Sequence, residues 1–171
     1  MRVVVGVGAN LGDRLGTMRS AVRAIARRAR VLATSPVYDT APIGPAQPRF
    51  LNAAALVVWE RPLGELLDEL LAIEASLGRV REDVPERGRS PEQRWGPRAI
   101  DLDVLWAEGV AVEGPRLTVP HPRLRERAFA LRPMLDLLPE ARDPATGERY
   151  AQTLAALTIS PDDLRPTGDP L

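Results

Sequence analysis

The sequence predicts an α+β fold in which helices pack on an antiparallel sheet. Short β-rich or alternating apolar segments are interleaved with two longer segments whose apolar residues recur at helical spacing. The composition is typical of a globular protein, with 44% hydrophobic and 27% charged residues. The length of 171 residues suits one domain that covers residues 1–171.

The first third of the chain predicts a strand, a helix and two further strands. Residues 2–8 form a Val/Gly-rich strand, and the apolar residues that follow recur at helical spacing behind Asp13, which suits an N-cap. Val31 to Tyr38 is β-rich, and Phe50 to Trp59 is a longer apolar run. Between them, the Pro/Gly-rich residues Thr40 to Pro48 predict a rigid loop.

The second helix carries a carboxylate on its apolar side. Its apolar stripe is made of Leu63, Leu66, Leu67, Leu70, Leu71 and Leu77. Glu74 occupies a position of the same stripe, so we expect its carboxylate to point where water is scarce.

The strand after this helix places two aspartates on one face. Asp101, Asp103 and Leu105 alternate with the apolar residues Ile100, Leu102, Val104 and Trp106. Because side chains alternate along a strand, both carboxylates should lie opposite the four apolar residues. A turn at 107–109 leads to Val110 to Val112, which predicts a hairpin.

The C-terminal part predicts an extension to this unit. It holds a helix over Leu124 to Leu138 that Pro133 interrupts, a short helix near Gln152 to Leu157 and a Pro-rich tail. Through residue 106 the order is strand, helix, strand, strand, helix, strand, which is the ferredoxin-like order. Since this fold hosts many unrelated functions, the chemistry has to be read from side chains.

The charges exclude several classes of function. The chain has 23 basic and 23 acidic residues, and zero net charge removes the general attraction to nucleic acid or an anionic membrane. With no cysteine there is no disulfide or thiolate nucleophile, and with no lysine every fixed cation is a guanidinium. No targeting or membrane segment is evident. We expect a cytoplasmic monomer with no nucleic-acid or membrane partner.

Two common nucleotide-binding motifs fail. The segment from Gly6 to Gly12 misses the dinucleotide fingerprint because Leu11 stands where glycine is required, and a phosphate-binding P-loop needs a lysine. We therefore interpret these glycines as a strand-to-helix turn that relieves crowding.

Asp101 and Asp103 predict a site for divalent metal ions. Positions two apart on a strand are about 6.6 Å apart, so converging carboxylates can hold two ions about 3.5–4 Å apart. The alternative is a solvated face of an edge strand. Arginines at 79, 81, 94 and 98 favour the first reading, because metal ions and guanidiniums together suit a triphosphate. His121, the only histidine, contacts a phosphate or caps a loop.

The chain resembles the 6-hydroxymethyl-7,8-dihydropterin pyrophosphokinase family, which transfers pyrophosphate from ATP to a pterin alcohol. The segments that carry the resemblance, in family order, are Gly8–Gly12, Thr40–Pro45, Gln47–Ala53, Glu74 with Gly78–Arg81, Arg94–Asp103 and Arg116–His121. The R-W-G-P-R-x-x-D-L-D segment is the most specific. Pro122 departs from a frequent tyrosine, and the loop between Arg81 and Arg94 is longer than in familiar members.

The resemblance implies a role for each matching residue. Asp101 and Asp103 would bind two Mg²⁺ and act in catalysis with Arg79 and Arg98, which would close over the phosphates of ATP. The residues implied for 6-hydroxymethyl-7,8-dihydropterin are Thr40, Pro42, Ile43, Phe50, Asn52, Trp95 and Phe129, with Asn52 at the hydrogen-bonding edge and the two last rings stacking. Those implied for ATP are Leu67, Glu74, Arg81, Arg94, Arg98, Arg116, Thr118, His121 and Arg127. Residues 79–98, rich in Arg, Gly and Pro, are expected to form a mobile lid.

Two other functions share parts of this pattern. A polymerase-palm-like nucleotidyltransferase also uses a strand D-x-D, but it attacks the α-phosphorus and releases pyrophosphate instead of AMP. A ferredoxin-like regulatory or RNA-binding module would need a basic or aromatic sheet surface and would not bind ATP and Mg²⁺.

Overall fold

An antiparallel sheet forms the centre of the computed structural model, which describes residues 1–44, 46–79, 96–160 and 162–171. The strands in these residues are β1 (Arg2–Ala9), β2 (Arg30–Thr34), β3 (Tyr38–Thr40), β4 (Phe50–Val58), β5 (Asp101–Ala107), β6 (Val112–Glu113), β7 (Thr118–Val119) and β8 (Leu164–Pro166). The six-stranded sheet has the order β5-β1-β4-β3-β8, with β2 also paired to β4, and β6 pairs with β7 separately. The predicted α+β class and ferredoxin-like order are confirmed.

Helices cover both faces of this sheet. They are α1 (Arg14–Ala26), α2 (Leu63–Ser76), α3 (Ala128–Leu137) and α4 (Tyr150–Ala156), with a 3₁₀ turn at Leu124–Glu126. Val3 and Val5 of β1 pack in the cluster that includes α1 and α2, whereas Val4 packs with α3 and α4. Because both faces are buried, β1 is a nearly continuous apolar run and not an alternating one. None of the helices in the described residues is long and apolar enough to cross a membrane.

The β-rich segment of residues 31–38 forms two strands instead of one. Both β2 and β3 pair with β4, and Ser35 stands at the break between them. The Ser35 hydroxyl accepts a hydrogen bond from the Ala54 backbone at 2.9 Å, so the chain stays attached to β4 through the break. Pro36 has no N–H to offer a ladder, which explains why the strand does not continue.

The end of β5 departs from simple alternation. The register between β1 and β5 shifts at Val4 and Val5, which pair with Trp106 and Val104. This bulge turns Trp106 into the cluster on the α3 face, where its indole N–H donates to Arg142 O at 2.8 Å. The expectation that Trp106 shares a face with Val104 is therefore wrong, because an extra residue reverses the alternation. The predicted hairpin is also wrong, since β6 pairs with β7.

The C-terminal part differs from the prediction in two places. The helix over 124–138 is broken at Arg127, whose backbone is extended, and Pro133 lies inside α3. The Pro-rich tail contains β8, which pairs with β3 in the antiparallel sense. Local composition does not reveal this pairing, because the two strands are far apart in the sequence. The predicted short helix is present as α4.

Candidate active site

A buried carboxylate on α2 connects that helix to β5. Glu74 is 1% exposed, as its place in the apolar stripe predicted. Its Oε1 accepts hydrogen bonds from Arg79 Nη1 and from the Leu102 backbone N–H, the latter at 2.7 Å. The carboxylate is therefore solvated by protein donors in place of water, which is how a charge in this position is tolerated.

The C-terminal turn of α2 places Arg79 over the site. The Arg79 N–H donates to Glu74 O at 3.0 Å and the Gly78 N–H donates to Ala75 O at 3.2 Å. With Gly78 at φ +87°, this is the Schellman arrangement, which returns the chain across the end of a helix. The Arg79 side chain then donates to Glu74, to Asp101 Oδ1 and to Ile100 O.

Asp101 is held by two guanidiniums. Arg79 binds Oδ1, and Arg98 Nη1 binds Oδ2 at 2.9 Å. Burial alone would lower the pKa of Arg79, but the charges of Asp101 and Glu74 raise it, so the guanidinium stays protonated. Glu74, Arg79, Arg98 and Asp101 are named here the Asp101 cluster.

Asp103 lies beside this cluster with its charge only partly compensated. Burial, together with the neighbouring charge of Asp101, raises the pKa of Asp103 to about 7. Arg127, at the start of α3, opposes this rise, and burial in turn lowers the pKa of Arg127. A carboxyl whose ionisation is suppressed by a second carboxylate attracts a cation, because a bound cation would relieve the repulsion.

The donor set suits Mg²⁺. Asp101 and Asp103 offer carboxylate oxygens, and no group of three or more His, Cys, Asp or Glu side chains in the described residues could complete an all-protein metal site. Mg²⁺ is typically bound by one or two carboxylates and completes its shell with water and substrate phosphates. The residues present therefore fit this ion.

A row of residues across three strands links Asp101 to Asn52. Gly8 of β1 pairs with Asp101 on one side and with Asn52 on the other. A Cβ atom at Gly8 would lie 2.7 Å from Asn52 Oδ1 and 3.9 Å from Asp101 Cβ. Because Gly8 has no side chain, an opening remains between the Asn52 amide and the Asp101 carboxylate. Gly6 and Gly8 lie within β1, so the interpretation of these two as turn glycines is wrong; Gly12, at φ +61°, does lie in the turn.

Thr40 orients Asn52. The Asn52 Nδ2 donates to Thr40 Oγ1 at 2.7 Å, and Thr40 is buried at the end of β3. Because Nδ2 is engaged there, the Oδ1 atom faces Gly8 and the opening above it.

The other predicted site residues differ in their exposure and contacts. Phe50 and Phe129 are half-buried, Pro42 is half-buried, and Ile43 is 54% exposed on its loop. Arg127 lies 5.6 Å from the ring centre of Phe129. The backbone N–H of His121 donates to Leu105 O at 2.8 Å, and the His121 Nδ1 accepts a hydrogen bond from the Arg123 N–H. These two bonds show that His121 caps a loop. Leu67 is half-buried on α2 and Thr118 lies on β7.

Arg116 has no described ion pair with the Asp101 cluster. It forms an exposed ion pair with Asp68 and lines a cavity of about 500 Å³ with Leu63, Val112 and Leu117, among others. Residues 80–95 lie outside the described residues. They include Arg81, Arg94 and Trp95, for which roles were predicted, and most of the predicted lid.

Sequence reasoning assigned no function to Gly8 or Asn10, although both lie in a segment that carried the family resemblance. A glycine in the interior of a strand often marks a close approach of another group, and that signal was available for Gly8. The contacts of Asn10 join residues far apart in the sequence, and no local signal indicates them.

Carboxylates and guanidiniums together at one end of a sheet are typical of one class of protein, the enzymes that act on polyphosphates, because this set suits metal-bound phosphate oxygens. The model of one family matches residues 4–139, namely 7,8-dihydro-6-hydroxymethylpterin-pyrophosphokinase (HPPK). The chain belongs to this family, and the resemblance drawn from its motifs is confirmed.

Two curated relatives match along more than nine-tenths of their length. The chain is 40% identical over 158 residues to a 2-amino-4-hydroxy-6-hydroxymethyldihydropteridine pyrophosphokinase of Pseudomonas aeruginosa, covering 91% of each chain. It is 42% identical over 162 residues to the enzyme of the same name from Methylorubrum extorquens, covering 93% of this chain and 95% of that one.

Solved structures share the fold at low sequence identity. A crystal structure of an HPPK-DHPS protein in complex with substrates superposes with a TM-score of 0.63 at 14% identity. The match covers 91% of this chain and 43% of that one, so the chain spans less than half of this longer protein.

Proposed function

We propose that the Asp101 cluster, Asp103 and Asn52 carry out the reaction of this family, the transfer of pyrophosphate from ATP to 6-hydroxymethyl-7,8-dihydropterin. Family membership supplies the activity, so the chain is a pyrophosphokinase of folate biosynthesis, as its motifs predicted. The assignment of roles to individual residues is carried by one observation: Asp101 is held between Arg79 and Arg98 beside a carboxyl whose pKa is raised.

The reaction requires two substrates to be aligned. The hydroxymethyl oxygen attacks the β-phosphorus of ATP, and the bond from that phosphorus to the oxygen bridging the α-phosphate breaks. The bridging oxygen leaves with AMP, the hydroxymethyl group gives up its proton, and the product is the pterin diphosphate. Most of the catalysis in such transfers comes from positioning and from stabilising charge on phosphate oxygens.

Asp101 and Asp103 would hold the Mg²⁺ ions, two of them by analogy with the family. When bound, Mg²⁺ neutralises the charge on the phosphates and stabilises the charge that develops during transfer. Arg79 and Glu74 fix the direction of the Asp101 carboxylate, because the first binds its Oδ1 and the second binds that guanidinium.

The guanidiniums also have donors for phosphate. In the described part of the chain, all the side-chain contacts of Arg79 are made by Nη1. Its Nε and Nη2 groups can therefore donate to phosphate oxygens while Nη1 keeps its carboxylates, since a guanidinium carries five N–H donors in a fixed plane. Arg98 would add a second cation on the other side of Asp101.

Asn52 would select the pterin. One N–H of its Nδ2 binds Thr40, and its Oδ1 faces the opening at Gly8, where it suits the N–H donors on the edge of a pterin ring. Phe50 and Phe129 would pack against the ring, with Pro42 and Ile43 closing the loop side. The opening left by Gly8 separates Asn52 from Asp101, so the pterin would lie on one side and the triphosphate on the other.

The nucleotide would extend from the Asp101 cluster toward α2 and β7. Leu67, Thr118 and His121 lie on that side, and Arg127 faces Asp103. Arg116 would reach the nucleotide by giving up its exposed ion pair with Asp68, which is worth little. We propose that one copy of the chain contributes all of these residues and that the enzyme acts as a monomer.

A product assay tests the proposal. Protein, ATP, Mg²⁺ and the pterin alcohol are mixed, and the products are separated by chromatography and followed by ³¹P NMR. Formation of AMP and a pterin diphosphate in equal amounts supports the reaction. Release of inorganic pyrophosphate instead would indicate attack at the α-phosphorus and a nucleotidyltransferase.

A further inference from the structure

Asn10 joins two segments that the proposed reaction uses in different ways. It follows β1, is 2% exposed, and uses both its backbone and its side chain in hydrogen bonds. On one side, its Nδ2 donates to Gln47 Oε1 at 3.0 Å and to Pro48 O at 3.1 Å. On the other, its Oδ1 accepts from Arg98 N at 2.7 Å, and its own N–H donates to Arg98 O at 3.1 Å.

The orientation of the Asn10 amide follows from these partners. Pro48 O can only accept a hydrogen bond, and the Arg98 N–H can only donate one. Oδ1 must therefore face Arg98 and Nδ2 must face the 46–49 segment, because the reversed amide would place Oδ1 against the carbonyl oxygen of Pro48 and Nδ2 against the Arg98 N–H. Each end of this amide therefore holds one segment.

The two segments have different chemistry. Residues 46–49 lead into Phe50 and follow Pro42 and Ile43, so they set the loop side of the proposed pterin site. Arg98 carries the guanidinium on Asp101, at the proposed phosphate site. Asn10 has no described hydrogen bond to the aspartates, and its amide alone joins residues 46–49 to Arg98 through one side chain among the described hydrogen bonds.

We propose that Asn10 is a positioning residue that couples the pterin side of the site to Arg98, an inference that rests on the proposed function. Its Nδ2 keeps the 46–49 segment against β1 and supports pterin binding. Its Oδ1 fixes the backbone of Arg98, and thus the origin of the side chain that reaches Asp101. A shift of about 1 Å at a positioning group is enough to slow a transfer reaction.

Two substitutions separate the two ends of the amide. Asn10→Asp keeps an oxygen for Arg98 N but places a second oxygen, in place of a donor, against Pro48 O. Asn10→Leu has a similar volume and removes both ends. A matched control is Ser35→Ala, which removes another buried side-chain hydrogen bond to the backbone, at 2.9 Å to Ala54 N, away from both segments.

Steady-state kinetics with each substrate varied in turn gives the test. For Asn10→Asp we expect KM for the pterin to rise about tenfold, because a buried carbonyl loses its partner, while kcat and KM for ATP stay within about twofold of the unchanged enzyme. For Asn10→Leu we expect the same rise in pterin KM and, in addition, a fall in kcat of about tenfold or more, because Arg98 is released.

The controls separate the possible failures. Ser35→Ala should lower the midpoint of urea unfolding with all three kinetic parameters unchanged, and Asn10→Asp alone carries the test if Asn10→Leu does not fold. Equal changes in all parameters for both Asn10 variants, or no change per folded molecule, would overturn the coupling while the unchanged enzyme still produces AMP. An unchanged enzyme that produces no AMP would instead refute the proposed function.

Discussion

Removing the carboxylate of Glu74 should destabilise the protein through two named partners. Glu74→Leu keeps the apolar stripe of α2 continuous but leaves the buried Leu102 N–H without its acceptor. An unpaired buried donor costs about 1–3 kcal/mol. Arg79 also loses one of two carboxylates, and breaking a buried ion pair outright costs about 3–5 kcal/mol.

The two effects together should lower the free energy of unfolding by about 3 kcal/mol, because Arg79 keeps Asp101 and pays only part of the second cost. Glu74→Gln is the matched variant. Arg79 and Leu102 donate to the same oxygen of Glu74, and the amide oxygen of glutamine can accept both bonds. These two bonds then lose only the contribution of the charge, so we expect a smaller loss, about 1 kcal/mol.

Urea unfolding followed by tryptophan fluorescence measures both values, and a cycle with Arg79→Met isolates the coupling. We expect the Glu74→Leu and Arg79→Met changes to be non-additive by about 1–3 kcal/mol, since the residues are in contact. If Glu74→Gln were as destabilising as Glu74→Leu, or if Glu74→Leu cost less than about 1 kcal/mol, the buried acceptor would not be what holds α2 to β5.

Three further predictions concern the metal and the pterin. Asp101→Asn and Asp103→Asn should each lower kcat by at least about a thousandfold, because the carboxylates serve metal and phosphate. The urea midpoint should stay close to that of the unchanged protein for Asp103→Asn and should fall for Asp101→Asn, whose charge pairs with Arg79 and Arg98; near-normal turnover in either variant would remove its metal role. Since the pKa of Asp103 is about 7 without metal, its carboxyl is protonated below pH 7 and ionised above it. Calorimetric Mg²⁺ affinity should therefore fall by up to about tenfold for each pH unit below 7, and an affinity that is flat from pH 5.5 to 8 would contradict this. Gly8→Ala should weaken pterin binding by about tenfold without changing ATP affinity, because its Cβ would lie 2.7 Å from Asn52 Oδ1. Gly64→Ala, at an open helical position, is the control and should bind both substrates normally; an equal loss of both ligands in Gly8→Ala would instead indicate a distorted sheet.

Sequence alone determined the parts of this protein that depend on local geometry. The periods of strand and helix predicted the order of elements through β5, apart from the break that divides residues 31–38 into β2 and β3. The one polar residue in the apolar stripe of α2 predicted that Glu74 is buried. The alternation in β5 also placed Asp101 and Asp103 on one face, since that pattern is regular up to Val104. These results follow because side-chain direction is set by the few residues on either side.

Only the tertiary structure decided what these residues touch. The bulge at the end of β5, the pairing of β8 with β3, and the contacts of Asn10 with Gln47 and Arg98 join positions that are far apart in the chain. Arg79 binds both Asp101 and Glu74, although Asp101 is 22 residues away in the sequence and Glu74 only 5. Such contacts depend on register and on the turns that close each loop, which are selected by the packing of the whole chain and leave no periodic trace in its sequence.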